Sequence, residues 1–207
     1  VSKGIFKCFG CGAGGDVIDF VMKAQKSTYK EALKWIADFH NIAIQPDYIY
    51  TPPIELPTSY LSIELLYSSL KNYDSNHFVQ WMFREFPNNL SFEEYHIGTS
   101  KYWKGATIFW YRDTFDRVRS GKVMLYNQNT GKRVKDPKPL ITWVHRVIKI
   151  PNFNFNTCLF GEHLLKIYPH KTVCIVESEK TAIVASLVYP KLLWLASGSL
   201  SNLSYKR

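Results

Sequence analysis

The chain has 207 residues, 46% of them hydrophobic and 15% aromatic, with four cysteines and a formal net charge of +9. With no low-complexity tract and no run of 18 apolar residues, this excludes a disordered segment, a disulfide-stapled miniprotein and a helical membrane span. Residues 101–150 carry the whole charge excess, twelve Lys/Arg against three Asp/Glu, while the rest holds fourteen of each sign. Positive charge focused in this way suits a polyanion-binding face, because each neutralised phosphate releases counterions. A solvated basic face is the plain alternative, and a membrane surface is disfavoured because no amphipathic helix carries the charge.

Lys3 to Met22 read KGIFKCFGCGAGGDVIDFVM. Cys8 and Cys11 form a C-x-x-C knuckle among Gly10, Gly12, Gly14 and Gly15, a spacing at which two thiolates can grip one tetrahedral zinc. Four ligands are needed and no second Cys/His pair follows within twenty residues. Either the other pair lies upstream of Val1 or the knuckle is not a zinc site. A thioredoxin-like redox motif lacks this glycine density, and two idle thiols remain the simplest alternative. Phe6 and Phe9 alternate with small residues, which predicts a hairpin around the knuckle. Asp16 is a good N-cap, with Asp19 three residues on, for a helix to about Gln25. Thr28 and Glu31 form a capping-box pair for a second helix of about twelve residues. Tyr29, Ala32, Leu33, Ile36 and Ala37 share its apolar face, and His40 reads as an end-turn residue rather than a metal ligand. Pro46, Pro52, Pro53 and Pro57 then predict a linker over residues 45–58.

Helices are expected at Ser59–Lys71 and His77–Phe86, and strands at Gly105–Tyr111, Lys122–Tyr126 and Ile141–Ile150. Asn129-Thr130-Gly131 supplies turn chemistry, followed by Lys132, Arg133 and Lys135. Trp103 and Trp110 could stack bases or belong to the core. Cys158 and Cys174 read as buried thiols. Thr172–Val176, Glu179–Tyr189 and Leu192–Ala196 read as β-α-β, the start of a parallel sheet. Two strands are too few to be stable alone, so a truncated end is expected here, as at the knuckle. Glu177 stands at the carboxyl end of the first of these strands, where open α/β sheets place their reaction crevice. It could bind a hard metal or act as a general base, with Glu179 serving the helix dipole and Lys180 meeting phosphate or solvent. One carboxylate alone does not make a divalent-metal site for phosphoryl transfer.

The segment GIFKCFGCGAGGDVIDFVM followed by YKEALKWIADFHNI closely resembles the second half of the zinc-binding domain of bacterial DnaG-type primases. TVCIVESEKTAIVASLVYPKLLWLASGS resembles the first half of the Toprim fold of the same primases, with Ser178 where the family usually has Gly. The order of EYHIG, GATIFWY, KVMLY and LFGEHLL resembles the intervening polymerase subdomain more loosely. The resemblance implies a multidomain α+β and α/β chain. It would comprise a partial zinc-ribbon domain (1–44), the Pro-rich linker (45–58), a basic primase-like subdomain (59–169) and the first part of a Toprim domain (170–207).

It further implies structural zinc on Cys8 and Cys11, completed by an upstream Cys-x-x-His pair, and catalytic Mg2+ or Mn2+ on Glu177 with acidic residues beyond Arg207. Lys122, Lys132, Arg133, Lys135, Arg146 and Lys180 are the candidate nucleic-acid contacts. The implied activity is primer RNA synthesis from nucleoside triphosphates on a single-stranded DNA template, in the cytoplasm, with a replicative helicase as a further partner. The pattern is closer to primase-like proteins of mobile elements or phages than to the housekeeping enzyme. The alternatives are a DNA-binding replication or mobilisation protein with a non-catalytic Toprim-like fold, and a Toprim nuclease or topoisomerase-like protein.

Overall fold

Capping decides where the first helices begin. Asp16 accepts from the N–H groups of Ile18 (2.8 Å) and Asp19 (3.0 Å), while the Asp19 carboxylate accepts from the Asp16 N–H (3.0 Å). This reciprocal box satisfies the orphan donors of α1, Val17–Gln25. Thr28 and Glu31 make the same box for α2, Tyr29–Phe39, with His40 as its C-cap. Ahead of them β1 (Ile5–Lys7) and β2 (Gly14–Asp16) pair antiparallel around the Cys8–Cys11 turn. The computed structural model describes residues 4–8, 10–43, 56–87 and 91–203. Phe9 and three of the four linker prolines, Pro46, Pro52 and Pro53, lie outside the described residues. The chain divides into two compact units, Val1–Ile54 and Glu55–Arg207.

In the second unit α3 (Ile63–Ser69) and α4 (His77–Glu85) precede the short α5 (Ser91–Glu94). A four-stranded antiparallel sheet follows: β3 (Ile97–Thr99), β4 (Thr107–Arg112), β5 (Val118–Met124) and β6 (Ile141–Trp143), in that order. Alternation along β4 sends side chains to both faces, and both are buried. Phe109 and Tyr111 enter the larger core with Phe78, Phe160, Ile183 and Leu195. Ile108 and Trp110 enter a second core with Leu66, Val123 and Val144. Each such fully buried large side chain contributes about 1.5–3 kcal/mol. The expected strand Ile141–Ile150 ends at Trp143, where the chain turns into α6, Val144–Val147. That turn lets His145 bond the buried Ser120 hydroxyl (2.8 Å) and stack on Phe153 with ring centroids 4.6 Å apart. After α7 (Leu164–Ile167), β7 (Val173–Val176), α8 (Glu179–Val188) and β8 (Leu193–Ala196) form the expected β-α-β, with β7 and β8 parallel in register Val173↔Leu193. Phe160 bridges antiparallel to Ala196 on β8, and the larger core is continuous from β4 to α8. The predicted segments 59–169 and 170–207 thus share one core.

Candidate functional site

The N-terminal knuckle is held by backbone bonds across its turn. The Cys8 N–H donates to the Ala13 carbonyl (2.6 Å), and the Gly12 N–H donates to that of Cys8 (2.9 Å). Hydrogen bonds from the Cys11 backbone, the Cys11 side chain and the Gly10 backbone hold the Cys8 thiol below its ordinary pKa and favour the thiolate. Both thiols are exposed and unpaired by disulfide. Thiolate donors in a tight hydrogen-bonded turn fit zinc, supplying two of its four ligands. Among the described residues no cluster of three or more His/Cys/Asp/Glu completes the set.

In the second unit, six of the sequence-predicted residues converge. Glu177, Lys180, Lys122, Lys132, Arg133 and Lys135 line one cleft of about 620 Å³, where the antiparallel sheet meets the β-α-β unit. Glu177 is exposed at the carboxyl end of β7, and its carbonyl accepts the Gly198 N–H (2.9 Å). Ser178 follows Glu177 and leads into α8. It has ordinary extended dihedrals (φ −106°, ψ 147°), and its hydroxyl accepts the Thr181 N–H (3.1 Å) as the N-cap of α8. Across the cleft Lys132, Arg133 and Lys135 are exposed on the turn that follows β5.

Two predicted contacts differ from free cations. Lys122 is 7% exposed, and its ammonium donates to Glu179 Oε1 (2.7 Å) and to the Gly198 carbonyl (3.0 Å). It is therefore a paired group on the cleft floor, with one of its three donors left over. Glu179 stands in the first turn of α8, as a dipole partner would, but it is only 2% exposed, and the Tyr111 hydroxyl also donates to it. Burial, then the charge of Glu179, pushes the Tyr111 phenol well above its ordinary pKa, so it stays protonated and donates. Lys180 lies 3.8 Å from the Trp81 ring centroid and donates to the Gly131 carbonyl (2.5 Å), and burial lowers its pKa. It ties α8 to the basic turn. From the other side Arg84 donates to the carbonyls of Gln128 (3.2 Å) and Asn129 (2.7 Å), so two cations clamp the loop.

Arg146 does not join this cleft. It is exposed on α6, beyond the far strand of the sheet. Trp110 is 1% exposed with its indole N–H donated to Ser69 (2.9 Å), so it is core and cannot stack a base. Trp103 packs partly buried on the second core. Cys158 is buried as expected, while Cys174 is only half-buried. Tyr111, Trp81 and the buried pairing of Glu179 are the parts of the site that sequence reasoning missed; no local pattern marks them, because they are joined across 57 to 99 residues of chain.

A family described as Domain of unknown function (DUF6371) matches residues 76–207, which contain every residue of this cleft. The chain belongs to that family. Residues 1–50, with the thiol knuckle, match the CHC2 zinc finger of DnaG, which makes the N-terminal module DnaG-primase-like and implies structural zinc. Over 42 residues the chain is 55% identical to a DNA primase of Clostridium acetobutylicum, covering 20% of this chain and 7% of that one. Over 45 residues it is 51% identical to a DNA primase of Helicobacter pylori, covering 22% and 8%. The chain therefore spans under a tenth of the length of these relatives. A crystal structure of the Aquifex aeolicus primase, comprising its zinc-binding and RNA polymerase domains, aligns at a TM-score of 0.34 and 16% identity over 94% of this chain and 54% of that one. No helix among the described residues is long and apolar enough to cross a membrane.

Proposed function

We propose that the chain is part of a DNA primase-like nucleotidyltransferase that makes primer RNA on single-stranded DNA, and that the Glu177 cleft is where nucleoside triphosphate and template meet. The observation that carries this reading is the convergence, in one cleft, of a strand-end carboxylate and a clamped loop bearing three exposed cations. Lys132, Arg133 and Lys135 bind phosphate oxygens. Glu177 offers one oxygen ligand to a divalent cation, and the buried Lys122–Glu179–Tyr111 cluster fixes the two backbone segments, at Glu177 and Gly198, that frame it. Mg2+ or Mn2+, when bound, would neutralise charge developing on the transferred phosphoryl group. One carboxylate is an incomplete set for that cation, and no cluster of three acidic groups stands among the described residues. A second reading, a DNA-binding replication protein without synthesis, rests on the three exposed cations of the loop, which need no metal to meet phosphates.

In this reading residues 1–44 form the zinc module that helps read the template, 45–58 a Pro-rich linker, 59–169 the basic subdomain and 170–207 the first part of a Toprim fold, all in the cytoplasm of a cell carrying a phage or mobile element. Calorimetric titration of ATP with Mn2+ tests it, using the full chain and Glu177→Gln. Because Glu177 is exposed, the variant is expected to fold normally while its Mn2+-dependent ATP affinity falls at least tenfold. Equal affinity would leave Glu177 without a role in the metal site.

A further inference from the structure

The opposite face of the four-stranded sheet carries a second recess. Two adjoining concavities, of about 410 and 350 Å³, share Ser68, Ser69, Lys71, Thr99, Ser100 and Lys101 as a common wall. The first is of mixed character, lined mainly by Ser, Thr, Asn and Lys residues, and continues to Trp103 and Lys104. The second is apolar: Leu65, Tyr102, Val147 and Ile148 present its accessible wall, laid over the buried Ile108, Val123 and Val144 of the second core. Phe109 and Met124, by contrast, point to the larger core, so the sheet itself separates this recess from the Glu177 cleft.

Its chemistry is lopsided. Lys71, Lys101 and Lys104 are all exposed, and none forms a salt bridge among the described residues. Asp74 is the one carboxylate among the described lining residues. Two hydroxyls beside the lysines already act as acceptors: Thr99 takes an N–H of Asn76 (3.2 Å) and Ser100 takes the Tyr102 N–H (3.1 Å). Their own O–H protons therefore remain to be donated. The loop that carries Lys101 and Lys104 is closed by bonds from Ser100 N–H to the Ala106 carbonyl (2.9 Å) and from Ala106 N–H to the Trp103 carbonyl (3.1 Å). At its end Gly105, with φ +82°, leaves no room for a Cβ against the His77 ring. The cations are thus presented by a built loop.

We propose that this recess binds a nucleoside polyphosphate, at a site separate from the Glu177 cleft. The phosphates meet three ammonium groups and two hydroxyl donors, and the base lies on the apolar wall. A simple inorganic anion would leave that wall uncovered, and a wholly apolar ligand would leave the lysines facing nothing.

The test is equilibrium dialysis of labelled ATP in EDTA, which silences any metal-dependent binding at Glu177, against the full chain bearing Lys132→Ala/Arg133→Ala/Lys135→Ala. That protein is expected to retain ATP binding. Adding Lys71→Ala/Lys101→Ala/Lys104→Ala is expected to weaken it at least tenfold with an unchanged melting temperature, since all three side chains are exposed. Lys101→Glu alone should also weaken it severalfold. Adenosine and pyrophosphate are each expected to bind at least tenfold more weakly than ATP. Absent ATP binding, or binding indifferent to the three lysines, would overturn the site. Pyrophosphate binding as tight as that of ATP would overturn the nucleotide.

Discussion

Lys122 and Glu179 are a buried ion pair, and a buried pair is a weak source of net stability but a costly thing to break. Lys122→Met leaves the Glu179 carboxylate buried with only the Tyr111 hydroxyl, at an expected cost of about 3 kcal/mol. Urea unfolding measures this, and adding Glu179→Gln should recover part of the loss, because the uncompensated charge disappears. If the single variant is as stable as the parent, the pair does not hold the cleft floor. At the other end of the chain, the depressed Cys8 thiol should be thiolate at lower pH than an ordinary cysteine. Its alkylation rate should therefore level off at a pH below the usual thiol range of about 8.5, and saturating zinc should suppress it. The placement of Glu177 at a strand end and of Lys132, Arg133 and Lys135 after a turn was legible in the sequence, because a strand end and a turn are local features. The place of Glu179 in the first turn of α8 is local too, but its burial is not, since that position allows either orientation. Only its distant partners, Tyr111 and Lys122, turn it inward.

At the scale of elements, capping was the most readable signal. The boxes at Asp16/Asp19 and Thr28/Glu31 are formed by residues three apart, so their energetics do not depend on the rest of the fold. The β-α-β was equally plain from its two apolar runs and the helix between them. The stretch Ile141–Ile150 was not, because its β-branched residues satisfy strand propensity throughout, whereas only Ile141–Trp143 pair with β5 before the chain turns into α6 at Val144, where Val144 and His145 are buried. The turn after β5 was predicted, but not what fixes it: Gly131 has φ +61°, and a Cβ there would collide with the Trp81 indole. Gly131→Ala is therefore expected to cost about 1–2 kcal/mol and to displace Lys132 and Arg133. In a DNA-binding titration at low salt, affinity should drop severalfold although no charge has been removed. Unchanged affinity would show that the loop's shape is immaterial.

At the scale of the whole molecule, the charge excess over residues 101–150 is real but is not one face. Arg112, Arg117 and Arg119 pair with Asp116 or Asp113, and Lys122 pairs with Glu179. Asp113 is 1% exposed, and both arginines bound to it also stack on Tyr60 at 4.6 and 5.2 Å, so these charges serve the fold. Of the remaining cations Lys132, Arg133 and Lys135 line the Glu177 cleft, Lys101 and Lys104 the recess on the opposite face, and Arg146 stands on α6, while Lys138 and Lys149 lie outside all three. Net charge counts none of this, since it is blind to which cations are already neutralised. The decisive measurement is single-stranded DNA affinity against salt concentration for the full chain and for Lys132→Ala/Arg133→Ala/Lys135→Ala. Three lost phosphate contacts should make the slope of log affinity against log salt shallower by about 2, at roughly 0.7 per contact on single strands. Equal slopes for the two proteins would mean that the template does not pass through the Glu177 cleft.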